Sequence, residues 1–184
     1  MRKTRGFTLI ELLIVVAIIA ILAAIAVPNF LEAQVRSKVS RCFADVRNMA
    51  TALEAYRIDN VGYPPSGGPD NPSGDNLWRM NHLTTPVAYI TSIPLDPFAY
   101  DKQTDPVTYR WHMGSYVYEQ LANWGTWNRT YAEAKSRGAV WFLTGVGPNR
   151  IHDAYYNSGT GESETTYDST NGTRSRGDIE RFGP

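Results

Sequence analysis

The sequence has little cysteine, no excess of either charge and no cluster of histidines. Cys42 is the only cysteine among 184 residues, so no disulfide bond can form within the chain. Eighteen basic side chains balance eighteen acidic ones, which argues against nucleic acid as a main ligand. His82, His112 and His152 are far apart and lack the spacing of metal ligands. No catalytic constellation is therefore predicted, and we expect the protein not to be an enzyme.

The N-terminal part, in contrast, holds one long apolar run. Between Phe7 and Val27 there are 21 residues, of which only Thr8 and Glu11 are not apolar. At about 1.5 Å per residue, a helix of this length reaches roughly 30 Å, the thickness of the hydrocarbon core of a bilayer. A carboxylate in such a helix costs about 2.5–3.5 kcal/mol at mid-membrane and less nearer the edge. Glu11 therefore needs a partner that offsets this cost, which makes it a candidate functional residue.

Three interpretations of this N-terminus compete. A secretory signal peptide would be cut after the small residues that end at Ala26. The apolar run is longer than the core of an ordinary signal peptide, however, and it carries an acid near its start. A plain transmembrane anchor explains the length but leaves Gly6 and Glu11 without a role. The third interpretation is a prepilin signal, in which a basic leader, residues 1–6, ends at Gly6 and precedes Phe7.

Residues 6–13, which read GFTLIELL, resemble the processing site of type IV pilins and of the pseudopilins of type II secretion. The resemblance implies that a prepilin peptidase cuts between Gly6 and Phe7, and that the new Phe7 amine is methylated. It also implies that Glu11 of one subunit pairs with the Phe7 amine of its neighbour in a filament. Breaking a buried ion pair of this kind typically costs about 3–5 kcal/mol. We therefore expect this pair to set the axial register between subunits.

Beyond the transmembrane part, residues 7–27, the pattern becomes that of an amphipathic helix over residues 28–60. Apolar side chains recur every three or four residues, and charged side chains occupy the other face. The apolar stripe consists of Leu31, Val35, Val39, Phe43, Val46, Met49, Leu53 and Tyr56. Pro28 lacks the amide hydrogen that the helix needs, which predicts a kink or local melting. Gly62 and the prolines after it predict that the helix ends near Asn60.

The remaining part, residues 61–184, is long enough for one modest domain with a hydrophobic core. Aromatic and β-branched residues predict strands at 107–111, 115–120, 139–143 and 178–182. Residues 77–86 are predicted as a short helix, and residues 131–135 as either a helical turn or part of a hairpin. The predicted fold class is α+β and pilin-like: a long N-terminal helix, membrane-spanning in its first half, packed on a small antiparallel β-sheet.

Further segments resemble the body of the major pseudopilin of type II secretion. These are the turn at Tyr63 and Pro64, and residues 89–98, which read YITSIPLDPF. Residues 145–149 and 177–179 resemble the end loop and the last strand of that family. The segment 115–138 and the long tail resemble nothing in it.

The same resemblance implies a calcium ion that holds the C-terminal loop in place of a disulfide. Such an ion needs hard oxygen ligands clustered in a loop. The candidate ligands are Asn149, Asp153, Asp168, Asn171 and Asp178. Asn149 stands where the family has an acid and is a weaker ligand. The alternative is that these residues are only turn formers in a polar loop. No other cofactor is expected.

The function that the resemblance implies is a structural subunit of a type II secretion pseudopilus, which polymerises through its N-terminal helix to drive protein export across the outer membrane. The alternative is a type IV pilin for adhesion, motility or DNA uptake. The absence of a second cysteine and the segment 89–98 favour the pseudopilin. A third hypothesis is a membrane-anchored periplasmic enzyme or sugar-binding module, for which the sequence offers no site.

The implied partners are those of a pseudopilin. They are copies of the same chain in a helical filament, minor pseudopilins, the prepilin peptidase, the inner-membrane assembly platform and membrane lipid. No nucleic acid is expected. The implied location is the bacterial inner membrane, crossed once, with the C-terminal domain in the periplasm.

Overall fold

The computed structural model of the protein describes residues 7–66, 76–99, 114–121, 129–150, 166–175 and 177–184. Gly6, Asp153 and the strand predicted at 107–111 lie outside these ranges. The chain divides into two compact units, Met1–Ser37 and Lys38–Pro184.

Helix α1 spans Leu9–Asn60 and includes Pro28. Its end at Asn60 confirms the boundary predicted from the sequence. The helix continues through Pro28, so the alternative of local melting is wrong at this position. One proline removes a single backbone hydrogen bond, and the bonds on either side maintain the helix. The kink at Pro28 stays a prediction.

In the first unit, α1 exposes its apolar side chains. Every residue from Phe7 to Gln34 is exposed, and Leu9 and Ile25 keep 80% and 63% of their surface. Among the described residues, α1 is the one helix that is long and apolar enough to cross a membrane, by length and composition alone. An apolar surface of this extent needs lipid or other helices to cover it.

In the second unit, one stripe of α1 is buried. Its main members are Val39, Cys42, Val46, Met49 and Leu53, which follow each other in alternating steps of three and four residues. The prediction that Phe43 belongs to this stripe is wrong, since its side chain is 42% exposed. A helical period of 3.6 residues places Cys42, rather than Phe43, on the face that Val46, Met49 and Leu53 share. Cys42 is fully buried.

The buried stripe packs on a three-stranded antiparallel sheet in the order β1-β2-β3. The strands are β1, Val117–Gln120, β2, Trp141–Gly145, and β3, Ile179–Gly183. Tyr118 of β1 lies opposite Leu143 of β2, which lies opposite Arg181 of β3. The strands predicted at 115–120, 139–143 and 178–182 are confirmed, with bounds that differ by at most two residues.

Short helices complete the described part of this unit. Helix α2 spans Asn76–Asn81, so the helix predicted at 77–86 is shorter than expected. Helix α3 spans Arg129–Ser136, which decides for the helical alternative at 131–135. A 3-10 helix, Ser169–Arg174, precedes β3.

The turn after α1 fastens the helix to the sheet through Glu54. The Tyr63 hydroxyl donates to Glu54 Oε1 at 2.9 Å, and the indole Nε1 of Trp141 donates to the same oxygen at 3.3 Å. The rings of Tyr63 and Trp141 meet edge to face, with centroids 6.1 Å apart. Trp141 lies so close to Gly183 of β3 that a side chain at Gly183 would run into the indole. The tyrosine of the predicted turn therefore connects α1 to β2.

A buried ion pair joins α2 to the sheet. The guanidinium of Arg79 donates to Glu119 of β1, and also to the backbone oxygen of Tyr118 at 3.2 Å. Arg79 and Glu119 are only 4% and 5% exposed. Because both charges are removed from water, loss of either side chain would leave the other charge buried without this counter-ion.

Candidate processing and assembly site

The N-terminus of α1 is capped by reciprocal hydrogen bonds between Thr8 and Glu11. The Thr8 amide donates to Glu11 Oε2 at 2.9 Å, and the Thr8 hydroxyl donates to the same oxygen at 2.6 Å. In return, the Glu11 amide lies 3.4 Å from Thr8 Oγ1. A threonine before the helix and a glutamate three residues later form a capping box, which satisfies amides that the helix itself leaves unbonded.

This arrangement gives Glu11 partners within its own subunit, which the sequence analysis missed. The signal was present, since threonine followed three residues later by glutamate, before an apolar run, is the sequence signature of the capping box. Both bonds from Thr8 end on Oε2. The second carboxylate oxygen, Oε1, can therefore accept a bond from another molecule without loss of the cap.

Phe7 lies beside this cap at the start of the described chain. It precedes the helix, and its side chain is 74% exposed. The cap thus holds the backbone that follows Phe7. The Phe7 side chain belongs to the exposed apolar surface of the first unit. Cleavage between Gly6 and Phe7 stays a prediction, because Gly6 lies outside the described residues.

The candidate calcium ligands lie around the loop of residues 166–178. Asp168 caps the 3-10 helix: its Oδ1 accepts from the amide and the hydroxyl of Thr170 at 2.8 Å and 2.7 Å. These hydrogen bonds hold the pKa of Asp168 below its usual range. Asn171 is exposed on the same helix, and its amide donates to the Asp168 carbonyl at 3.2 Å. Asp168 therefore has the turn-forming role that the sequence analysis gave as the alternative to calcium binding.

Asp178 closes this loop from the other side. It is fully buried, pairs with Thr166 in a parallel bridge, and accepts the Tyr167 amide on its backbone oxygen at 2.7 Å. Asn149 lies in the turn after β2 and is partly exposed, and Asp153 is outside the described ranges. Within the described part of the chain, no three His, Cys, Asp or Glu side chains come together as metal ligands. Calcium binding stays a prediction.

Comparison with known proteins bears on the same N-terminal segment and on the domain behind it. Residues 1–27 match the family model described as the prokaryotic N-terminal methylation motif. Type II secretion system core protein G of Pseudomonas aeruginosa is 34% identical over 109 residues, which cover 53% of this chain and 70% of that protein. The chain belongs to the family of type IV pilins and type II secretion pseudopilins.

Other members of the family are similar at comparable levels. Core protein G of Vibrio cholerae is 34% identical over 111 residues, which cover 56% of this chain and 71% of that protein. The type IV major pilin protein PilA of Myxococcus xanthus is 33% identical over 143 residues, which cover 67% of this chain and 64% of that pilin. No solved structure matches significantly. These relatives are structural pilin and pseudopilin proteins rather than enzymes. The methylation motif and the apolar helix of this chain suggest anchoring in a membrane.

Proposed function

We propose that this chain is a structural subunit of a type II secretion pseudopilus, which polymerises through α1 to drive protein export across the outer membrane. The observation that carries the proposal is a capped glutamate, Glu11, at the head of an exposed apolar helix. Two core G proteins whose lengths are matched to 70% and 71% support it. The single cysteine and the segment 89–98 favour the pseudopilin as well.

In this proposal, α1 crosses the bacterial inner membrane once and the C-terminal domain lies in the periplasm. The prepilin peptidase cuts between Gly6 and Phe7, and the Phe7 amine is methylated. The partners are other copies of the chain, minor pseudopilins, the inner-membrane assembly platform and membrane lipid.

Assembly pairs Glu11 with the cationic Phe7 amine of the neighbouring subunit. Each of these charges is costly in hydrocarbon when it is alone, and the pair offsets both costs. Glu11 Oε1 provides the acceptor, while Oε2 keeps its bonds to Thr8. The cap thus orients the carboxylate before the neighbour arrives.

Two substitutions separate the charge of Glu11 from its capping role. Glu11→Gln keeps an oxygen that can accept from the Thr8 amide, because glutamine also completes a capping box, but it carries no charge. Glu11→Val removes both functions and should insert into the membrane at least as well as the wild type. We expect both variants to accumulate in the membrane and to yield few filaments, measured as sheared filament against membrane-bound subunit.

Thr8→Ala serves as the matched control, since it removes the hydroxyl and keeps the Glu11 charge. It should assemble better than either Glu11 variant. Wild-type filament yield from Glu11→Gln would contradict the ion pair and would assign the effect of Glu11→Val to the lost cap.

A type IV pilin for adhesion, motility or DNA uptake is the second candidate. The observation that favours it is the match to the Myxococcus pilin, which covers 67% of this chain, against 53% for the Pseudomonas core G protein. Deletion of the gene distinguishes the two proposals. Loss of secreted proteins with unchanged surface filaments supports the pseudopilin, and loss of surface filaments with unchanged secretion supports the pilin.

We also propose that calcium holds the loop 166–178. Asp168 and Asp178 close this loop from opposite sides, and both bonds from Thr170 end on Asp168 Oδ1, so Oδ2 is available to an ion. Calcium that binds only the folded state raises the melting temperature by mass action. The full chain in detergent should therefore melt lower in chelator than in calcium, and Asp178→Ala should remove the difference. Melting that is indifferent to calcium and chelator would contradict this proposal.

A further inference from the structure

One buried carboxylate, that of Asp96, connects three parts of the second unit. Its Oδ1 accepts the Phe98 amide at 2.8 Å and lies 3.7 Å from the Cys42 thiol of α1. Its Oδ2 accepts the amide of Val146, just after β2, at 2.6 Å. Asp96 therefore fastens its own turn and the loop after β2 to the long helix.

The surroundings of this carboxylate are closely packed. Asp96 is only 6% exposed. A Cβ built on Gly145 would lie 3.0 Å from Asp96 Oδ2 and 2.7 Å from the ring of Tyr116. Oδ2 thus faces the backbone of β2 rather than bulk water, and glycine at this position permits the approach.

Among the described residues, the groups that face Asp96 include no cation that could offset its charge. Cys42 and Asp45 approach from α1, and the Tyr116 hydroxyl donates to Asp45 Oδ2 at 3.1 Å. The Lys38 ammonium lies over the ring of Phe98 instead, 5.7 Å from its centre. Within the part of the chain that the structure describes, no ion pair includes Asp96. Burial raises the pKa of Asp96 to about 6, although the amides of Phe98 and Val146 act in the opposite direction.

We propose that Asp96 is a proton-sensitive latch that joins α1, the turn 94–98 and the loop after β2, and that mild acid tightens it. Protonation removes the buried charge and its repulsion from Asp45, while both oxygens remain acceptors for the two amides. Because the pKa of Asp96 in the folded state lies above the ordinary 3.8, protonation of Asp96 adds stability to the folded state. This added stability is complete below the ordinary pKa of 3.8 and is lost as the pH rises through about 6. The folding equilibrium constant should therefore increase about tenfold from about pH 7 to about pH 5.

Cys42 supplies the measurement, because it is the only cysteine, is fully buried and touches Asp96. Its reaction with dithiodipyridine requires opening of the junction that Asp96 closes. We define protection as the labelling rate of the chain unfolded in urea divided by that of the native full chain in detergent, both at one pH. This ratio cancels the pH dependence of the thiol and of the reagent. Protection should rise about tenfold from about pH 7 to about pH 5, with a midpoint near pH 6.

Matched variants assign the effect to Asp96. Asp96→Asn should lose the pH dependence, and a variant with glutamine at His82, His112 and His152 should retain it. If Asp96→Asn does not fold, Asp45→Asn tests the same latch. Removal of the facing charge should lower the midpoint, and an unchanged midpoint would contradict the proposal. Wild-type protection that is flat or falls on acidification would overturn it, as would a full tenfold rise in Asp96→Asn.

Discussion

Val61, the residue that follows helix α1, has an unfavourable backbone conformation that a single substitution should relieve. Its φ is 58°, in the left-handed region that β-branched residues rarely adopt. The side chain is 96% exposed, so its removal loses almost no buried apolar surface. Helices commonly end with glycine in this conformation at this position. Val61→Gly should therefore stabilise the protein, although valine to glycine in a loop usually does the opposite.

The size of the gain follows from two opposing terms. Relief of the left-handed conformation contributes about 1–2 kcal/mol. The greater freedom of glycine in the unfolded chain costs about 0.4–1 kcal/mol. The net gain is roughly 0.5–1 kcal/mol, which raises the melting temperature by about 1–4 °C in a chain of this size. Circular dichroism of the full chain in detergent measures this shift.

The neighbouring glycine provides the control. A Cβ on Gly62 has no atom within 4 Å, and its φ lies outside the left-handed region. Gly62→Ala should therefore not lower the melting temperature. A lower melting temperature for Val61→Gly than for the wild type would refute the claim that the strain at Val61 is relieved by glycine.

The remaining predictions concern the buried contacts of the second unit. Glu119→Ala removes the carboxylate that faces the buried Arg79. It should lower the free energy of unfolding by about 3–5 kcal/mol, measured by urea denaturation. The apolar pair Arg79→Met with Glu119→Leu should recover most of this loss, and failure to do so would mean that the charges themselves are needed. Gly183→Ala forces a methyl group against the Trp141 indole and should cost about 1–3 kcal/mol. Trp141→Phe should lower the free energy of unfolding less in the Gly183→Ala variant than in the wild type. An equal loss in the two proteins would contradict this steric explanation.

The parts of the fold that the sequence predicted best are those with local, periodic signals. The apolar run and the stripe behind it predicted α1, and its end at Asn60 was located from the turn residues that follow. The strands were found from runs of aromatic and β-branched residues. The register of the stripe follows the helical period rather than the hydrophobicity of single residues: Phe43 is more apolar than Cys42, but the cysteine is the buried one.

The contacts that sequence reasoning missed join residues far apart in the chain. Asp96 is 54 residues from Cys42 and 50 from Val146, and no local pattern places them together. The segment 89–98 was noticed as a family resemblance, but the structure alone shows that its aspartate is buried against α1. The cap at Thr8 and Glu11 is different, because its signal was local and was overlooked in favour of the pairing between subunits.

The most direct test of the filament account is the intact mass of the protein extracted from the membranes of its own host. Processing as a pseudopilin predicts loss of residues 1–6 and addition of one methyl group at the new terminus, Phe7. Tandem mass spectrometry of the N-terminal peptide then places the methyl on the Phe7 amine. A mature protein cut after Ala26 would lack Glu11 and the whole apolar head of α1, and would contradict the account.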